Sequence, residues 1–344
     1  MTMPNFCLYD VGLELMRQAR QDISDTTPRL ILADWLESLS IDSAIEMSCA
    51  LRKSFECEGL VRLSAESSAR LFPMVGARQG WFSGPWSGNG GEIERLWLAS
   101  PMSVRLQGDV WLELELIPAG IFMMGSPESE AERSDDETQH QVTISKPYYL
   151  GKYPVTQAQW QQVMGNNPSH FKGDKLRPVE KVSWDDAQAF CRKLKEITQA
   201  PFGIPTESQW EYACRAGTNT PFHFGSELNG RQANCHGTRP YGTDSEGPYL
   251  EKTTMVGKYQ ANAWGLYDMH GNVWEWCSDW YGDYPTGSVT DPIGPATGSI
   301  RVLRGGSWYR DAVDCRSAYR SGSDPSFRRY LGFRVALSSS GIPK

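Results

Sequence analysis

Eight cysteines and five histidines are the residues of this 344-residue chain best suited to metal or redox chemistry. Their spacing predicts no zinc site, because no two cysteines are separated by just two residues and no His-Glu-x-x-His sequence occurs. The cysteines stand at long, irregular intervals: Cys7, Cys49, Cys57, Cys191, Cys214, Cys235, Cys277 and Cys315. Without a predicted secretory signal, such thiols are expected to be reduced and mostly buried.

The remaining polar residues form no recognisable catalytic arrangement. No histidine stands at motif spacing from a nucleophile, and His270, which lies in a glycine-rich turn before Trp274, is expected to be structural. The acidic run from Glu128 to Glu137 offers carboxylates to a metal ion or a basic partner, but such a run is more often a solvated loop. No catalytic residue is predicted.

The charge balance and the hydropathy pattern exclude two classes of function. Lys and Arg number 34 against 41 Asp and Glu, and the net charge of −7 argues against a general nucleic-acid binder. No run of about eighteen apolar residues occurs, so no transmembrane helix is predicted. The first residues lack a basic stretch followed by an apolar core, so no secretory signal is predicted. We therefore expect a cytoplasmic protein with no nucleic-acid partner and no membrane.

The N-terminal part of the chain predicts helices. Residues 1–75 are expected to form a small helical domain, in which Thr27-Pro28 provides a capping hydroxyl followed by proline at the first helical position. Residues 76–109 are rich in Gly, Ser and Trp and predict a connector.

Residues 110–344 predict a different kind of domain. The alternation at residues 111–117 is typical of a half-buried strand. Only two helices are predicted after it, one starting at Ser183 and one at Thr206, each with a capping-box pair. The rest is glycine- and aromatic-rich loop with short strands, so a loop-rich α+β domain is expected and a doubly wound sheet is not.

A series of short motifs runs through residues 110–337. They are Pro118-Ala119-Gly120, Pro154-Val155-Thr156-Gln157, Pro205-Thr206-Glu207, Gly271-Asn272-Val273-Trp274-Glu275-Trp276, Arg304-Gly305-Gly306-Ser307-Trp308 and Gly332-Phe333-Arg334-Val335. In this order they resemble the formylglycine-generating-enzyme/sulfatase-modifying-factor superfamily, and the resemblance implies a C-type-lectin-like fold. Farther upstream, Pro28-Arg29-Leu30 and Ala33-Asp34-Trp35-Leu36-Glu37 resemble a short bacterial repeat-companion domain.

The resemblance does not by itself imply catalysis. The enzymes of the superfamily hold copper between two cysteines five residues apart, just after the Gly-Gly-Ser-aromatic turn, because a linear pair of thiolates suits soft Cu(I). The corresponding positions in this sequence are Arg310 and Cys315. Since an arginine replaces the first cysteine, no copper is expected, and Cys315 is expected to be a buried core thiol.

The resemblance also implies a structural calcium ion around the Gly-Asn-x-Trp-Glu turn. Matched position by position, its ligands would be the Asp268 and Glu275 carboxylates and the carbonyl oxygens of Gly271 and Val273. Hard oxygen donors with two carboxylates suit Ca²⁺. The alternative is that Asp268 caps a turn and Glu275 pairs with an arginine.

The segment from Tyr309 to Tyr330 has an unusual composition. Lys, Glu, Gln, Met and Trp make up 72 of the 344 residues, yet none of these types occurs among its 22 residues. None of these amino acids has a codon that ends in a pyrimidine, so their absence is typical of randomised AAC-type codons. Variable proteins of diversity-generating retroelements carry their diversity between a Gly-Gly-Ser-Trp turn and a Gly-Phe-Arg end of this same fold, and the chain resembles them.

The mixture of Tyr, Arg, Asp, Ser and Gly in this segment resembles a paratope, in which Tyr and Arg supply contact area while Ser and Gly adapt. We predict a ligand-binding surface made of Tyr309, Arg310, Asp311, Val313, Asp314, Tyr319, Ser321, Ser323, Phe327, Arg329 and Tyr330. The positions between them, predicted to be framework, are Cys315-Arg316-Ser317-Ala318, Arg320, Pro325 and Arg328.

These patterns predict a non-catalytic protein that binds a protein, peptide or glycan through its C-terminal surface. The N-terminal helical domain is expected to contact a second cytoplasmic protein. Two alternatives stay open. One is a binding or adaptor member of the superfamily with fixed specificity, and the other is a copper- or iron-dependent oxidase of the formylglycine-generating type.

Overall fold

The computed structural model describes residues 102–106 and 110–338. The predicted helical domain at 1–75 and most of the predicted connector at 76–109 lie outside the described residues. The end of that connector is a strand, β1 (Met102–Arg105), which pairs into the largest sheet. Residues Met102–Arg105 of the predicted connector thus belong to a sheet.

Short strands and long connections make up the described part of the chain. The helices are α1 (Gln157–Met164), α2 (Trp184–Thr198) and α3 (Glu207–Arg215), with a 3₁₀ helix at Ala312–Cys315. The strands after β1 are β2 (Trp111–Ile117), β3 (Gly120–Met124), β4 (His140–Ile144), β5 (Tyr148–Gly151), β6 (Phe202–Gly203), β7 (Trp274–Trp280), β8 (Val289–Thr290), β9 (Arg301–Arg304), β10 (Arg320–Ser323), β11 (Leu331–Gly332) and β12 (Ala336–Ser338). This is the predicted loop-rich α+β domain. None of the helices in residues 102–106 and 110–338 has the length and apolar character needed to cross a membrane.

The strands form three sheets. The largest has the order β1-β2-β5-β12-β6, and β12 is antiparallel to both of its neighbours. The second has the order β10-β9-β7-β11, in which β7 is antiparallel to β9 and parallel to β11. The third is β3-β4-β8. Because β9 and β12 belong to different sheets, the long segment between them is fixed to the domain at both ends.

The two predicted helices begin where the sequence places them. The Ser183 side chain accepts a hydrogen bond from the backbone N–H of Asp186 at the start of α2, and the Asp186 side chain caps Ser183 in return. Thr206 and Gln209 form the same reciprocal pair at the start of α3. Each capping box satisfies two backbone donors that the first turn of a helix leaves without partners.

Helix α1 was not predicted. It has the same kind of cap, but its buried face combines Trp160 and Val163 with Gln157 and Gln159. The amide of Gln157 is buried because it donates hydrogen bonds to two backbone carbonyl oxygens. A face that is buried through glutamines lacks the apolar periodicity by which a helix is predicted.

Large aromatic side chains fill the centre of the domain. Trp210 on α3 and Trp276 on β7 are fully buried. The indole N–H of Trp210 donates to Glu275 at 2.7 Å, and that of Trp276 donates to the carbonyl oxygen of Val182 at 3.0 Å. Both rings therefore bury their apolar area without leaving a polar group unpaired.

Two arginines near the C-terminal end are buried in two-pronged pairs with glutamates. Arg334 donates to both carboxylate oxygens of Glu275, at 2.6 and 2.7 Å. Arg316 donates to both oxygens of Glu137, at 2.8 and 2.7 Å, and to Glu130 at 2.6 Å. Such bidentate, charge-assisted hydrogen bonds are the strong ones and fix the relative orientation of both groups.

Two further arginines hold α3 against the second sheet. Arg320 donates to both oxygens of Glu207, at 2.9 and 2.8 Å. Arg304 donates to Glu211 at 2.5 Å and lies 3.0 Å from Glu207. Burial alone would raise the pKa of Glu211, but the Arg215 and Arg304 guanidinium groups lower it below its usual value. This carboxylate therefore stays ionised inside the domain.

Replacing Arg316 with Met is expected to lower the free energy of unfolding by about 3–5 kcal/mol, because Glu137 is left buried without its partner. Urea denaturation measures the change. The matched control is Arg328→Met, which removes an ion pair with Asp186 whose side chains are 57% and 31% exposed. An exposed pair contributes about 0–1 kcal/mol. Equal losses of unfolding free energy in the two variants would contradict the larger contribution expected of the buried pair.

Candidate ligand-binding surface

The long segment after β9 starts with a tight turn that brings the 3₁₀ helix close to the sheet. Gly305 and Gly306 have φ angles of 92° and 71°, in the left-handed region that favours glycine. A Cβ atom on Gly306 would collide with the sulfur of Cys315. Glycine at this position therefore allows the backbone to pack directly against the buried thiol.

The predicted contact residues and the predicted framework residues differ in exposure. All eleven contact positions are exposed or partly exposed, while Cys315, Arg316, Ser317, Ala318 and Arg320 are buried. Arg328, which was also predicted to be framework, is exposed and pairs with Asp186. Buried anchors thus lie between outward-facing side chains up to Arg320, while residues 321–330 are all exposed or partly exposed.

Five aromatic side chains form a platform at the start of the segment. The rings of Tyr309 and Tyr330 stack with their centroids 5.5 Å apart. Each contacts Trp308 edge-on, at 5.5 and 5.2 Å. Phe171 and Tyr249 contact Trp308 at 5.3 and 6.3 Å. Trp308 is 6% exposed and Tyr309 49%, so the tryptophan is the base of this aromatic platform.

The base of the aromatic platform carries an unpaired donor. The indole nitrogen of Trp308 is buried and has no hydrogen-bond partner among the residues that the structure describes. Buried donors are nearly always paired, and an unpaired one costs about 1–3 kcal/mol. His236 extends the platform on one side, since its ring stacks on Tyr249 with the centroids 3.8 Å apart. A ligand with a flat apolar face and an acceptor atom would suit this arrangement.

Charged side chains lie beside the aromatic platform. Arg310 is 3.6 Å from Asp314, and Arg239 is 3.2 Å from Asp311. The Tyr319 hydroxyl is hydrogen-bonded to Asp314, and burial raises the pKa of that carboxyl above its usual value. Ion pairs at an exposed surface contribute little to stability, so their members are free to exchange partners with a charged ligand.

Trp274 at the start of β7 contacts both an aromatic and a charged residue of this surface. The Arg310 guanidinium lies 5.9 Å from the centroid of its ring, and the Tyr319 ring lies 6.1 Å from it. Its backbone N–H donates to the carbonyl oxygen of Tyr330. The buried tryptophan thus supports both groups from below.

The other predicted residues lie around this centre. Arg329 stacks over the ring of Tyr330, at 5.5 Å. Ser321 and Ser323 follow along β10, and Val313 packs partly against a buried apolar cluster beneath the 3₁₀ helix. Phe327 is exposed after a turn whose backbone hydrogen bond runs from its own N–H to Asp324. The structure therefore brings together Tyr309, Arg310, Asp311, Asp314, Tyr319, Arg329 and Tyr330, with the other four residues at the edges.

Sequence reasoning missed the members of this surface that come from other parts of the chain. Phe171, His236, Arg239 and Tyr249 lie in separate loops, and Trp274 lies on β7. The compositional signal was confined to residues 309–330, so it carried no information about them. The aromatic character of these loops was the one available hint.

Arg310 and Cys315, the positions that correspond to the copper cysteines, have different surroundings. Arg310 is exposed and pairs with Asp314, whereas Cys315 is fully buried, as expected for a core thiol. A guanidinium group cannot replace a thiolate as a ligand of Cu(I).

The residues predicted to hold calcium have other partners. Both oxygens of Glu275 accept hydrogen bonds from Arg334, and one of them also accepts from Trp210. Asp268 accepts a hydrogen bond from the backbone N–H of Gly257 at 2.7 Å. In the described ranges no group of three or more His, Cys, Asp or Glu side chains could hold a metal ion. These contacts favour the alternative pairing with an arginine, and calcium binding stays a prediction.

His270 is a structural residue, as expected. Its Nδ1 lies 2.7 Å from the carbonyl oxygen of Cys315, and its Nε2 accepts a hydrogen bond from the backbone N–H of His223 at 3.1 Å. Burial lowers the pKa of this imidazole well below its usual value. The ring is therefore neutral, with its proton on Nδ1, and neither nitrogen is available to a metal ion or a substrate.

The acidic run is not simply a solvated loop. Glu128, Glu132 and Asp135 are exposed, but Glu137 is fully buried and Glu130 is partly buried. Both of the latter pair with Arg316, as described above. The expectation of a solvated loop is wrong for these two residues, because a buried arginine from a distant part of the chain neutralises them.

A cavity of about 50 Å³ lies on the other side of β7 and is lined by Glu207, Asp279, Tyr284 and Arg320, among others. Asp279 accepts a hydrogen bond from the backbone N–H of Glu207 at 2.9 Å. Burial and the neighbouring Glu207 carboxylate raise the pKa of Asp279 to about 7. The cavity has room for a few water molecules and is far smaller than a site for an organic ligand.

Asp279 should make the stability of the domain depend on pH. Its pKa rises from 3.8 to about 7 on folding, so the folded state binds a proton that the unfolded state releases between these values. This contribution is fully present below pH 3.8 and is lost as the pH rises through about 7. The Asp279→Asn variant should therefore lose less stability than the wild type between pH 5 and pH 8, in urea denaturation at each pH. Asp283→Asn, an exposed residue at the same cavity, is the control, and parallel curves for wild type and Asp279→Asn would contradict the prediction.

The small curled sheets, the capped helices and the long C-terminal segment held over β7 and β9 define a C-type-lectin-like domain. The family profile described as the sulfatase-modifying factor enzyme 1-like domain matches residues 107–339, and the chain belongs to this family. The formylglycine-generating enzyme of Streptomyces coelicolor is 39% identical over 193 residues, which cover 53% of this chain and 59% of that protein. The chaperone protein LppX of Paenibacillus barcinonensis is 33% identical over 249 residues, which cover 60% of this chain and 82% of that protein. This chain thus spans less than two thirds of the Streptomyces enzyme.

Two solved structures are similar to the domain. Treponema denticola variable protein 1 has a TM-score of 0.58 and 32% identity, and the match covers 69% of this chain and 98% of that one. PvdO from Pseudomonas aeruginosa has a TM-score of 0.58 and 28% identity, with the same two shares covered. The predicted fold and the predicted resemblance to a variable protein are therefore confirmed.

Proposed function

We propose that this chain is a non-catalytic binding protein whose ligand, a protein, a peptide or a glycan, contacts the aromatic platform and the charged residues beside it. We propose further that the segment from Tyr309 to Tyr330 is diversified by a retroelement. Calcium binding, a cytoplasmic location and a partner for residues 1–75 remain predictions.

The burial pattern of the segment is the observation that carries the proposal: buried anchors lie between outward side chains up to Arg320, and residues 321–330 are all exposed or partly exposed. The residues that lack a structural role point outward, while the buried anchors between them hold the backbone in place. A surface built in this way tolerates changes of side chain without loss of the fold. The likeness to a variable protein of Treponema denticola is independent support.

The oxidase alternative rests on the relatives that are named formylglycine-generating enzymes, at 39% and 37% identity. It requires a redox centre, and the arginine at position 310 removes one of the two cysteines that the family spacing supplies. In the fixed-specificity alternative the same surface binds the ligand, but the gene segment that encodes it is not diversified.

Selection from a phage-displayed random peptide library, with a glycan array in parallel, tests the surface. The double change Tyr309→Ser with Tyr330→Ser should weaken the selected ligands at least about 30-fold, because central aromatic residues carry most of the energy of such interfaces. The melting temperature should stay nearly unchanged. The control is Ile293→Ser, which changes an apolar residue outside the segment that is 71% exposed. Ligands that bind the double variant as well as the wild type would contradict the proposal.

Long-read sequencing of the gene and its flanks, across a population of the source organism, tests the diversification. We expect a downstream near-copy of the codons for Trp308 to Arg334, with adenines at the variable positions, beside a reverse transcriptase gene. An invariant gene without this copy would contradict the diversification and would favour the fixed-specificity binding protein.

A further inference from the structure

Glu180 differs from the other buried glutamates of the described part of the chain. Each of the others pairs with a buried arginine, and they are Glu137, Glu207, Glu211 and Glu275. Glu180 is 0% exposed but forms no ion pair with any residue that the structure describes. Its Oε2 atom is buried and has no hydrogen-bond partner in the described ranges. Since an unpaired buried oxygen is costly, the contacts of the other carboxylate oxygen must account for this residue.

That other oxygen, Oε1, holds a loop. It accepts hydrogen bonds from the backbone N–H groups of His170 and Phe171, the latter at 2.9 Å. The backbone N–H of Glu180 donates in return to the hydroxyl oxygen of Ser169 at 3.2 Å. Successive N–H groups that point at one atom form a concave site for negative charge. Residues 169–171 therefore wrap around this carboxylate.

The loop carries a member of the aromatic platform. The carbonyl oxygen of Phe171 accepts a hydrogen bond from the side-chain amide of Gln157 at 2.9 Å, so the backbone of Phe171 is held from both sides. The Phe171 ring stands at 87° to the Trp308 ring, with the centroids 5.3 Å apart. Because a ring moves with its backbone, the contact that fixes the N–H of Phe171 also fixes where its ring meets Trp308.

We propose that Glu180 is a positioning residue of the ligand-binding surface, whose ionised carboxylate holds Phe171 on the aromatic platform and whose protonation loosens this loop and weakens ligand binding. The second half of this inference rests on the proposed function, whereas the first half is measurable without a ligand. Glu180 and Phe171 lie outside the segment from Tyr309 to Tyr330. Every diversified form of the surface would therefore share this pH dependence.

Opposing effects set the ionisation of Glu180. Burial raises the pKa of its carboxyl above the usual value, while the two backbone N–H groups lower it. The charged groups that face it are His170, in the loop that it holds, and Lys181, the next residue in the chain, and both also lower the pKa. Hydrogen bonds to a charged acceptor are about twice as strong as those to a neutral one. The loop is thus held firmly above the pKa of Glu180 and less firmly as the pH falls through it.

The amide proton of Phe171 tests the first half by NMR, in the full chain labelled with ¹⁵N-phenylalanine. Its signal is the one that Phe171→Leu removes. We expect this signal to shift between about pH 8 and pH 5 in the wild type and to stay in place in Glu180→Gln, which keeps the shape of the side chain but does not titrate. The other phenylalanine signals should be unchanged in Glu180→Gln, which shows that the fold is intact.

His170→Gln is the matched control, because the exposed imidazole of His170 titrates near the same pH. The Phe171 signal should shift in this variant as in the wild type. A signal that stays in place in the wild type, or that moves equally in Glu180→Gln, would overturn the proposal. A shift that disappears in His170→Gln would assign the titration to the imidazole and would also overturn it.

A peptide selected from the phage-displayed library, with no ionisable group of its own, tests the second half. Its affinity for the wild type should fall about 2- to 10-fold more than its affinity for Glu180→Gln over the same pH range, which is the contribution of one aromatic contact. Comparison with this variant removes the effect of other titrating groups such as Asp314. In Phe171→Leu the affinity should follow the pH as it does in Glu180→Gln, because the ring that Glu180 positions is gone.

The outcomes separate this inference from the proposed function. Equal pH profiles in the wild type and Glu180→Gln, for a peptide that the double change at Tyr309 and Tyr330 abolishes, would overturn the inference and leave the binding function standing. If neither a peptide nor a glycan binds, the proposed function fails, and the second half of the inference fails with it. The Phe171 amide signal still decides in that case whether Glu180 holds the loop.

Discussion

The buried pairing of arginines with glutamates is the constraint on which this domain depends. A fold with short strands and long loops has few ladder hydrogen bonds to hold its connections in place. Arg304, Arg316 and Arg320 instead bind carboxylates on α3 and in the acidic loop, and each has little or no exposed surface. Because an unpaired buried charge is costly, each pair enforces the presence and the position of both partners. Because these contacts fix the positions of the arginines, the backbone between them is also held in place.

The segment after β9 therefore has two separate roles, which are to anchor the backbone and to form the surface. Its anchoring is done by side chains that point inward, and its surface is formed by side chains between them that make few interior contacts. Tyr309 and Arg310 lie outside, while Arg316 and Arg320 lie inside. Variation at the outward positions would change contact chemistry without removing the buried pairs of Arg316 and Arg320. This arrangement would allow the proposed binding surface to vary on an unchanged backbone.

The sequence was sufficient for features whose causes are local. Capping boxes at Ser183 and Thr206 depend on residues three positions apart, and both helix starts were predicted from them. Helix α1 was missed because glutamines bury its inner face through hydrogen bonds to distant carbonyl groups. The outward and inward positions of the C-terminal segment match the predicted contact and framework residues except at Pro325 and Arg328, but the aromatic platform was not predicted. Phe171 and Tyr249 reach Trp308 only through the three-dimensional path of the loops, which no local pattern records.

The same distinction applies to the calcium site that was predicted at Asp268 and Glu275. The family resemblance assigned calcium to these residues, yet Arg334 already neutralises Glu275, and a dication there would have to displace a bidentate guanidinium group.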